Sequence, residues 1–420
     1  MKILVVGGGG REHAVIKKLK ENKEAETIYA LPGNGGMKKD AICVDIAAKD
    51  IDGMVRFALE KGIDYAVVTP DDPLCLGAVD ALQEAGIPCF GPDKKAAAIE
   101  VSKIFAKNRM KKYGIPTAAY EIFDDAEKAL QYLETADFPI VIKADGLALG
   151  KGVVIAENKE DAKAAVTSAM VDGVFGESGR KIVMEEYLTG PEISVLSFTD
   201  GKTIIPMVSS MDHKRALDGD KGLNTGGMGA VAPNPYFTPE VARECAEKIF
   251  LPTVAAMNAE GRKFKGCLYF GLMLTEDGPK VIEYNCRFGD PETQVVLPLL
   301  KSDLLTVMQA VTDEKLDRIA VEFSNDCAVC VVVASAGYPG AYQTGYEITV
   351  SGNIEKDICY AGVGENAAGR PVTSGGRVLS VVAVGKSLKE TVEKAYEKVG
   401  KVSFSNKFFR RDIGKKALGE

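Results

Sequence analysis

No apolar run in this chain of 420 residues comes near the length of a membrane span; the longest lies around Ala328 to Ala336. Met1 to Val6, which precede four glycines, are also too short an apolar stretch for a secretory signal. Positive charge is not in excess. The net charge of −7 argues against nucleic acid or an anionic membrane as a partner. Zinc-type cysteine spacing is missing, because Cys327 and Cys330 form a C-x-x-C without a second pair. That pair sits in a β-branched run and reads as core. The nine cysteines are scattered and odd in number, which fits free thiols in a reducing cytoplasm. Histidine is scarce. His13 and His213 are the only two, and both fall in candidate ligand loops. Repeats and low-complexity tracts are absent.

What remains is ordinary globular composition, 46% hydrophobic and 26% charged, in a chain long enough for two to four domains. The first hundred residues alternate strand and helix, the rhythm of a parallel sheet with ligand groups at the carboxyl ends of its strands. Those ends hold Gly7-Gly8-Gly9-Gly10, Pro32-Gly33-Asn34 and Thr69-Pro70-Asp71-Asp72. The glycine run opens a helix at Arg11-Glu12-His13, and free N–H groups with the helix dipole make such a start an anion site. A dinucleotide fingerprint G-x-G-x-x-G fails here: counted from Gly7 its last position is Glu12, and from Gly8 it is His13. A phosphate on a small molecule suits the run better. A tight turn with a solvated helix start would look the same.

The second unit begins with a helix expected over Lys94 to Tyr113, followed by strands and by K-A-D-G-L-A-L-G-K-G, Lys143 to Gly152. A strand ending in lysine and a glycine-rich loop carrying a second lysine suit the covering of nucleotide phosphates. No Ser or Thr follows Lys151, so this is not an ordinary P-loop. Glu185-Glu186-Tyr187-Leu188 offers backbone groups to a base, and Glu192 lies just beyond, within reach of a ribose. The stretch from Met211 to Gly229 is long, polar and glycine-rich, and such loops inside compact domains are usually functional.

Val281 to Glu292 carries the most specific pattern. Side chains alternate along a strand, so Glu283, Asn285 and Arg287 line one rim. The two oxygen ligands suit Mg²⁺, and the guanidinium suits a carboxylate or phosphate gripped by two prongs. An edge strand with a wet polar face would show the same residues.

Taken together, GGGREHA, KADGLALGKG, EEYLTGPE, MDHKR with NTGGMGA, IEYNCRFGDPE, and GYPG with TSGGRV resemble the phosphoribosylamine–glycine ligase family of ATP-grasp enzymes. The resemblance covers essentially the whole chain. It implies an α/β fold: a Rossmann-like parallel-sheet domain over 1–100, an ATP-grasp domain over 101–322 with a glycine-rich lid in a subdomain at about 118–188, and a small strand-rich domain over 323–420. It also implies ATP, Mg²⁺ or Mn²⁺, and the substrates glycine and 5-phosphoribosylamine, in a cytoplasmic monomer or weak homo-oligomer.

Carried over residue by residue, the resemblance puts Lys103, Lys143, Gly150 and Lys151 on the ATP phosphates. Glu185, Glu186 and Leu188 fall at adenine, and Glu192 at the ribose. Glu283 and Asn285 become the metal ligands, and Arg287 holds the glycine carboxylate. Gly8, Gly10, Arg11, Glu12, His13, Asn34 and Asp71 surround the phosphoribosyl group. Asp212, His213, Lys214, Asn224, Thr225, Gly226 and Gly227 lie around the amine and glycine. Two departures stand out. The family commonly has a glutamate where Asp71 shortens the reach, and Tyr269 to Met273 lacks the second metal-binding acid of many ATP-grasp enzymes. The reaction implied is carboxylate activation as an acyl phosphate, followed by amine attack. A biotin-dependent carboxylase subunit would share the fold logic without the REHA and DHKR–NTGGMG segments. A dehydrogenase would need neither Lys143 nor Glu283-x-Asn285.

Overall fold

The computed structural model describes residues 1–147 and 152–420. The lid positions Gly150 and Lys151 lie outside the described residues.

Lys2–Gly7 is the middle strand of a five-stranded parallel sheet, flanked by Thr27–Pro32 and Ile42–Cys43 on one side and by Tyr65–Val68 and Cys89–Phe90 on the other. Ile3, Leu4, Val5 and Val6 are all fully buried, as expected where helices cover both faces of a parallel sheet. Gly7 to Gly10 then turn the chain into the helix Gly10–Leu19. Gly8 has to be glycine: a Cβ there would sit 2.4 Å from the Gly33 carbonyl oxygen of the neighbouring loop.

Two antiparallel four-stranded sheets make up the centre. One orders Tyr120–Phe123, Ile182–Glu186, Ile140–Ala144 and Val153–Ala156; the other orders Ile204–Pro206, Glu192–Thr199, Gly266–Thr275 and Gly278–Asn285. The helix expected over Lys94 to Tyr113 is broken into Lys94–Val101 and Lys103–Tyr113. Ser102 takes an extended conformation there; its hydroxyl caps the second helix at the Phe105 N–H and donates to Asp145 at 3.0 Å. The break turns Lys103 away from the axis of the first helix.

The third sheet joins Met211–Asp212, Gly229–Ala232, Cys327–Ser335, Arg377–Gly385 and Ile358–Tyr360, with Lys407–Phe408 paired beside them. Its first two strands come from before residue 322, so the expected strand-rich C-terminal unit borrows the ends of the long polar stretch. Cys330 is buried in this sheet, as its β-branched neighbours suggest. All nine cysteines are free thiols among the described residues. No helix among those residues is long and apolar enough to cross a membrane.

Candidate active site

The site is organised by an irregularity in the pairing of Gly266–Thr275 with Gly278–Asn285. Gly271 faces Glu283 but Leu272 faces Val281, so Ile282 is an extra residue on its strand. Such a bulge re-aims the side chains that follow it. It also frees the Ile282 carbonyl, which accepts from the Lys143 ammonium at 3.0 Å. Gly271 makes room for the acid opposite, since a Cβ there would lie 2.9 Å from Glu283 Cγ.

Glu283 is surrounded by protein yet keeps 38% of its side chain exposed, the condition of a residue on the floor of a cleft. Burial pushes its carboxyl up, but Lys214, Lys143, Lys103 and Arg287 outweigh that and hold it below the usual glutamate range. Its oxygens accept no hydrogen bond among the described residues; the Lys214 ammonium stands 3.7 Å away. Lys214 also lies 3.2 Å from Glu192, and the attraction of Glu192 is the main cause that raises it well above the usual lysine range. Asn285, two residues on, turns its amide oxygen to Arg287 Nη2 at 3.2 Å.

The lysines are held individually. Lys103 donates to the Gly146 carbonyl at 2.9 Å. Lys143 ends its strand 3.0 Å from the Glu185 carboxylate. Lys107, absent from the motifs, meets the same carboxylate at 2.9 Å, on an oxygen that Lys143 also contacts. It is almost fully buried, and burial pushes it down to about 8. Its apolar spacing within a helix conceals it from sequence reading; only the fold brings it under Glu185. Glu186 and Leu188 follow on the same strand and its exit, with the Glu186 N–H donating to the Ala119 carbonyl at 3.0 Å.

Arg287 is more committed than a free fork. Nη1 donates to the Phe288 carbonyl and Nη2 to Asn285, and Nη2 forms an ion pair with Glu100 at 3.2 Å. Nε is buried and has no acceptor among the described residues. Asp71 faces the same cluster: burial pushes its carboxyl up, and Arg287 with Arg11 pulls it below the usual range. Its shorter side chain therefore still joins the arginines. Arg11 spans from Glu12 to the Phe288 carbonyl at 3.2 Å, tying the glycine loop to the end of the rim strand.

Asp212 lies across the cleft from these groups, with Oδ1 buried and unpartnered among the described residues. Burial and the facing Glu292 push it well up; burial also pushes Glu292 up, and Tyr269 donates to Glu292 at 3.1 Å. Gly227 adjoins Asp212, and a Cβ on it would meet Asp212 Oδ1 at 2.9 Å and Pro291 Cδ at 2.4 Å. Thr225 ties its turn to the Lys214 carbonyl at 2.8 Å, whereas Asn224 is exposed in the hairpin before it.

Several residues expected at the ligand serve the scaffold instead. His13 is fully buried; Nδ1 accepts from the Tyr360 N–H at 2.8 Å and Nε2 meets Asp40 at 3.0 Å. Accepting at Nδ1 leaves the proton on Nε2, so the ring is neutral, and burial lowers its pKa accordingly. His213 points away from Asp212 and Lys214 into the core. Its Nδ1 meets the Gly229 carbonyl at 3.2 Å and its Nε2 accepts from the Gly414 N–H at 3.3 Å. Glu12 spends one oxygen on the Gly9 N–H at 2.7 Å and the other on Thr69 and Arg11. Asn34 bonds the Gly8 and Tyr360 carbonyls and the Gly36 N–H. Glu12, Asn34 and His13 brace the glycine loop and its seam with the C-terminal strands, and His213 ties its own segment to Gly229 and Gly414. Arg377, in TSGGRV, was not singled out as a site residue. It donates to the Gly226 carbonyl at 2.6 Å and to Asp290 at 2.9 Å, so the third sheet fastens two loops of the cleft.

Known proteins are similar to this chain in sequence and fold. Residues 1–100, 101–293 and 328–416 match the N, ATP-grasp (A) and C domain models of phosphoribosylglycinamide synthetase. A phosphoribosylamine–glycine ligase of Clostridium acetobutylicum is 48% identical over 99% of this chain and 100% of its own. The chain belongs to the phosphoribosylamine–glycine ligase family. The crystal structure of the Thermotoga maritima phosphoribosylamine–glycine ligase superposes with a TM-score of 0.87 at 34% identity, covering 98% of this chain and 100% of that one. A biotin carboxylase domain of Hydrogenobacter thermophilus 2-oxoglutarate carboxylase reaches 0.74 at 18% identity over 97% and 91%, a likeness of fold alone. Family members of the ATP-grasp type use ATP.

Proposed function

We infer that the protein ligates glycine to 5-phosphoribosylamine at the expense of ATP, giving glycinamide ribonucleotide, ADP and phosphate for purine biosynthesis. The observation that carries this reading is the convergence of Lys103, Lys143, Lys214 and Arg287 on Glu283, a polyanion-sized patch of positive charge around one ionised acid. Family membership over the full chain supports it.

Lys103 and Lys143 hold the ATP phosphates, Glu186 and Leu188 present backbone groups to adenine, and Glu192 takes the ribose. Glu283 and Asn285 fit Mg²⁺ or Mn²⁺: one ionised carboxylate without a hydrogen-bond donor and one amide oxygen sit two residues apart on one strand face. Bound there, the ion would offset phosphate charge. Arg287 receives the carboxylate of glycine through the edge that includes its unpartnered Nε. Asp212 accepts from the glycine ammonium. The N–H groups of Gly8 to Gly10, with Arg11, receive the phosphate of phosphoribosylamine. Residues 1–100, 101–322 and 323–420 form the substrate, ATP-grasp and C-terminal units. The free thiols suit work in a reducing cytoplasm.

A carboxylate does not acylate an amine at neutral pH because its leaving oxygen is too basic. Transfer of a phosphoryl group from ATP to glycine supplies a good leaving group, with the lysines stabilising charge on that group in flight. The amine then attacks the carbonyl carbon and phosphate departs. Two measurements test this. ADP release must depend on glycine with phosphoribosylamine and not on bicarbonate with biotin. Glycine carrying heavy oxygen in its carboxylate must pass one labelled oxygen to phosphate per turnover; unlabelled phosphate overturns the acyl-phosphate route.

A further inference from the structure

Glu100 lies outside every motif that identified the cleft, yet among the described residues it is the one acid paired directly with Arg287. It sits in the last turn of the helix Lys94–Val101 and is 8% exposed. One carboxylate oxygen accepts from the Cys286 backbone N–H at 2.7 Å; the other lies 3.2 Å from Arg287 Nη2. Glu100 thereby holds both the backbone just before Arg287 and its guanidinium. Two residues later the helix breaks at Ser102, and Lys103 starts the next helix toward Glu283. One short segment therefore carries Glu100 to the carboxylate-binding side of the rim and Lys103 to its phosphate-binding side.

A guanidinium has three nitrogens in one plane, and pinning two of them decides where the third edge faces. Nη1 is pinned by the Phe288 carbonyl, and Nη2 by Asn285 and Glu100. Nε is left buried without an acceptor among the described residues. Of the three contacts only the one with Glu100 pairs opposite charges, and it lies in a buried setting where that attraction is weakly screened. We propose that Glu100 is a positioning residue for glycine recognition, clamping Arg287 so that its Nε edge meets the carboxylate of glycine. This rests on the reading that Arg287 binds that carboxylate. Glu100 touches no reacting atom; it acts through Arg287.

The test uses the full-length enzyme with E100Q, R287K and the double variant, comparing KM for glycine and for ATP. Glutamine keeps an acceptor for the Cys286 N–H, and opposite Arg287 it replaces the charged oxygen with an amide NH2 that cannot accept from the guanidinium. E100Q raises the glycine KM about tenfold, leaves the ATP KM within about twofold, and adds nothing further to R287K, because both variants remove the same clamp. E100D, with its charge retained, falls between wild type and E100Q; if E100Q folds poorly, its effect on glycine KM alone carries the comparison. A lowered melting temperature with an unchanged glycine KM overturns the proposal and makes Glu100 a buried structural acid. Multiplying effects of E100Q and R287K overturn it too. An R287K enzyme with an unchanged glycine KM shows that the underlying role of Arg287 is wrong, a result distinct from either of those.

Discussion

Glu283 and His13 are both polar side chains set in protein at the end of a motif, and they are treated in opposite ways. Glu283 has cations around it and no hydrogen-bond donor on its oxygens among the described residues. His13 has both ring nitrogens engaged and no exposed surface. The same contrast separates the two regions they belong to. Along the rim from Glu283 to Arg287, and at Asp212 facing it, charge is gathered and left partly unspent, as at Arg287 Nε and Asp212 Oδ1. Along the seam made by His13, Asn34, His213 and Arg377, the main polar groups are bonded to protein. A buried polar group without a partner costs stability, so a ligand that completes the bonding at Arg287 Nε or Asp212 Oδ1 is favoured there.

If that division is right, the two regions fail differently. The largest effect belongs to Glu283→Gln. Turnover should fall at least about 100-fold at low Mg²⁺, because an amide brings no charge to balance a divalent ion. Melting temperature should hardly move, since the carboxylate makes no hydrogen bond to lose among the described residues. ADP formation titrated with Mg²⁺ checks it, and near-normal activity would break the comparison at its strongest point.

Arg287→Lys should raise the glycine KM by about 10- to 100-fold, the worth of a charge-assisted hydrogen bond, with ATP binding little changed. A point charge cannot reproduce the planar fork. Loss of ATP affinity instead would move Arg287 to the phosphates.

His13→Ala should do the reverse of Glu283→Gln. It strands the Tyr360 N–H and Asp40, at a cost of about 1–3 kcal/mol in folding stability, while substrate KM values stay close to wild type. Denaturant melts and steady-state kinetics on the same preparation separate the two.

The smallest effect is a pH slope. Burial, with Arg410 adding to it, lowers His213 from 6.5 to about 4. Between those values the unfolded chain binds more protons at this position than the folded one. The stability that neutral His213 contributes is therefore complete above 6.5 and is lost as pH falls toward about 4. His213→Gln should flatten that part of the melting-temperature profile. An unchanged slope would show that the seam does not hold a neutral imidazole.

The sequence by itself determined what is local. The buried run Ile3 to Val6 with its glycine turn, the alternation that puts Glu283 and Asn285 on one face, and the strand ending at Lys143 all follow from residue types a few positions apart. Family membership was legible for the same reason, since its motifs are contiguous. Tertiary structure decided what depends on partners distant in the chain. His13 and His213 looked like ligand residues because they sit in polar loops; Tyr360 and Gly414, 347 and 201 residues away, make them structural. The bulge at Ile282, the break at Ser102 and the meeting of Lys107 with Glu185 leave no periodic trace. Glu100 is the plainest case. A single acid at the end of an alanine-rich helix carries no signal until the fold brings it within 3.2 Å of a guanidinium from the far end of the cleft, where burial makes the pairing count.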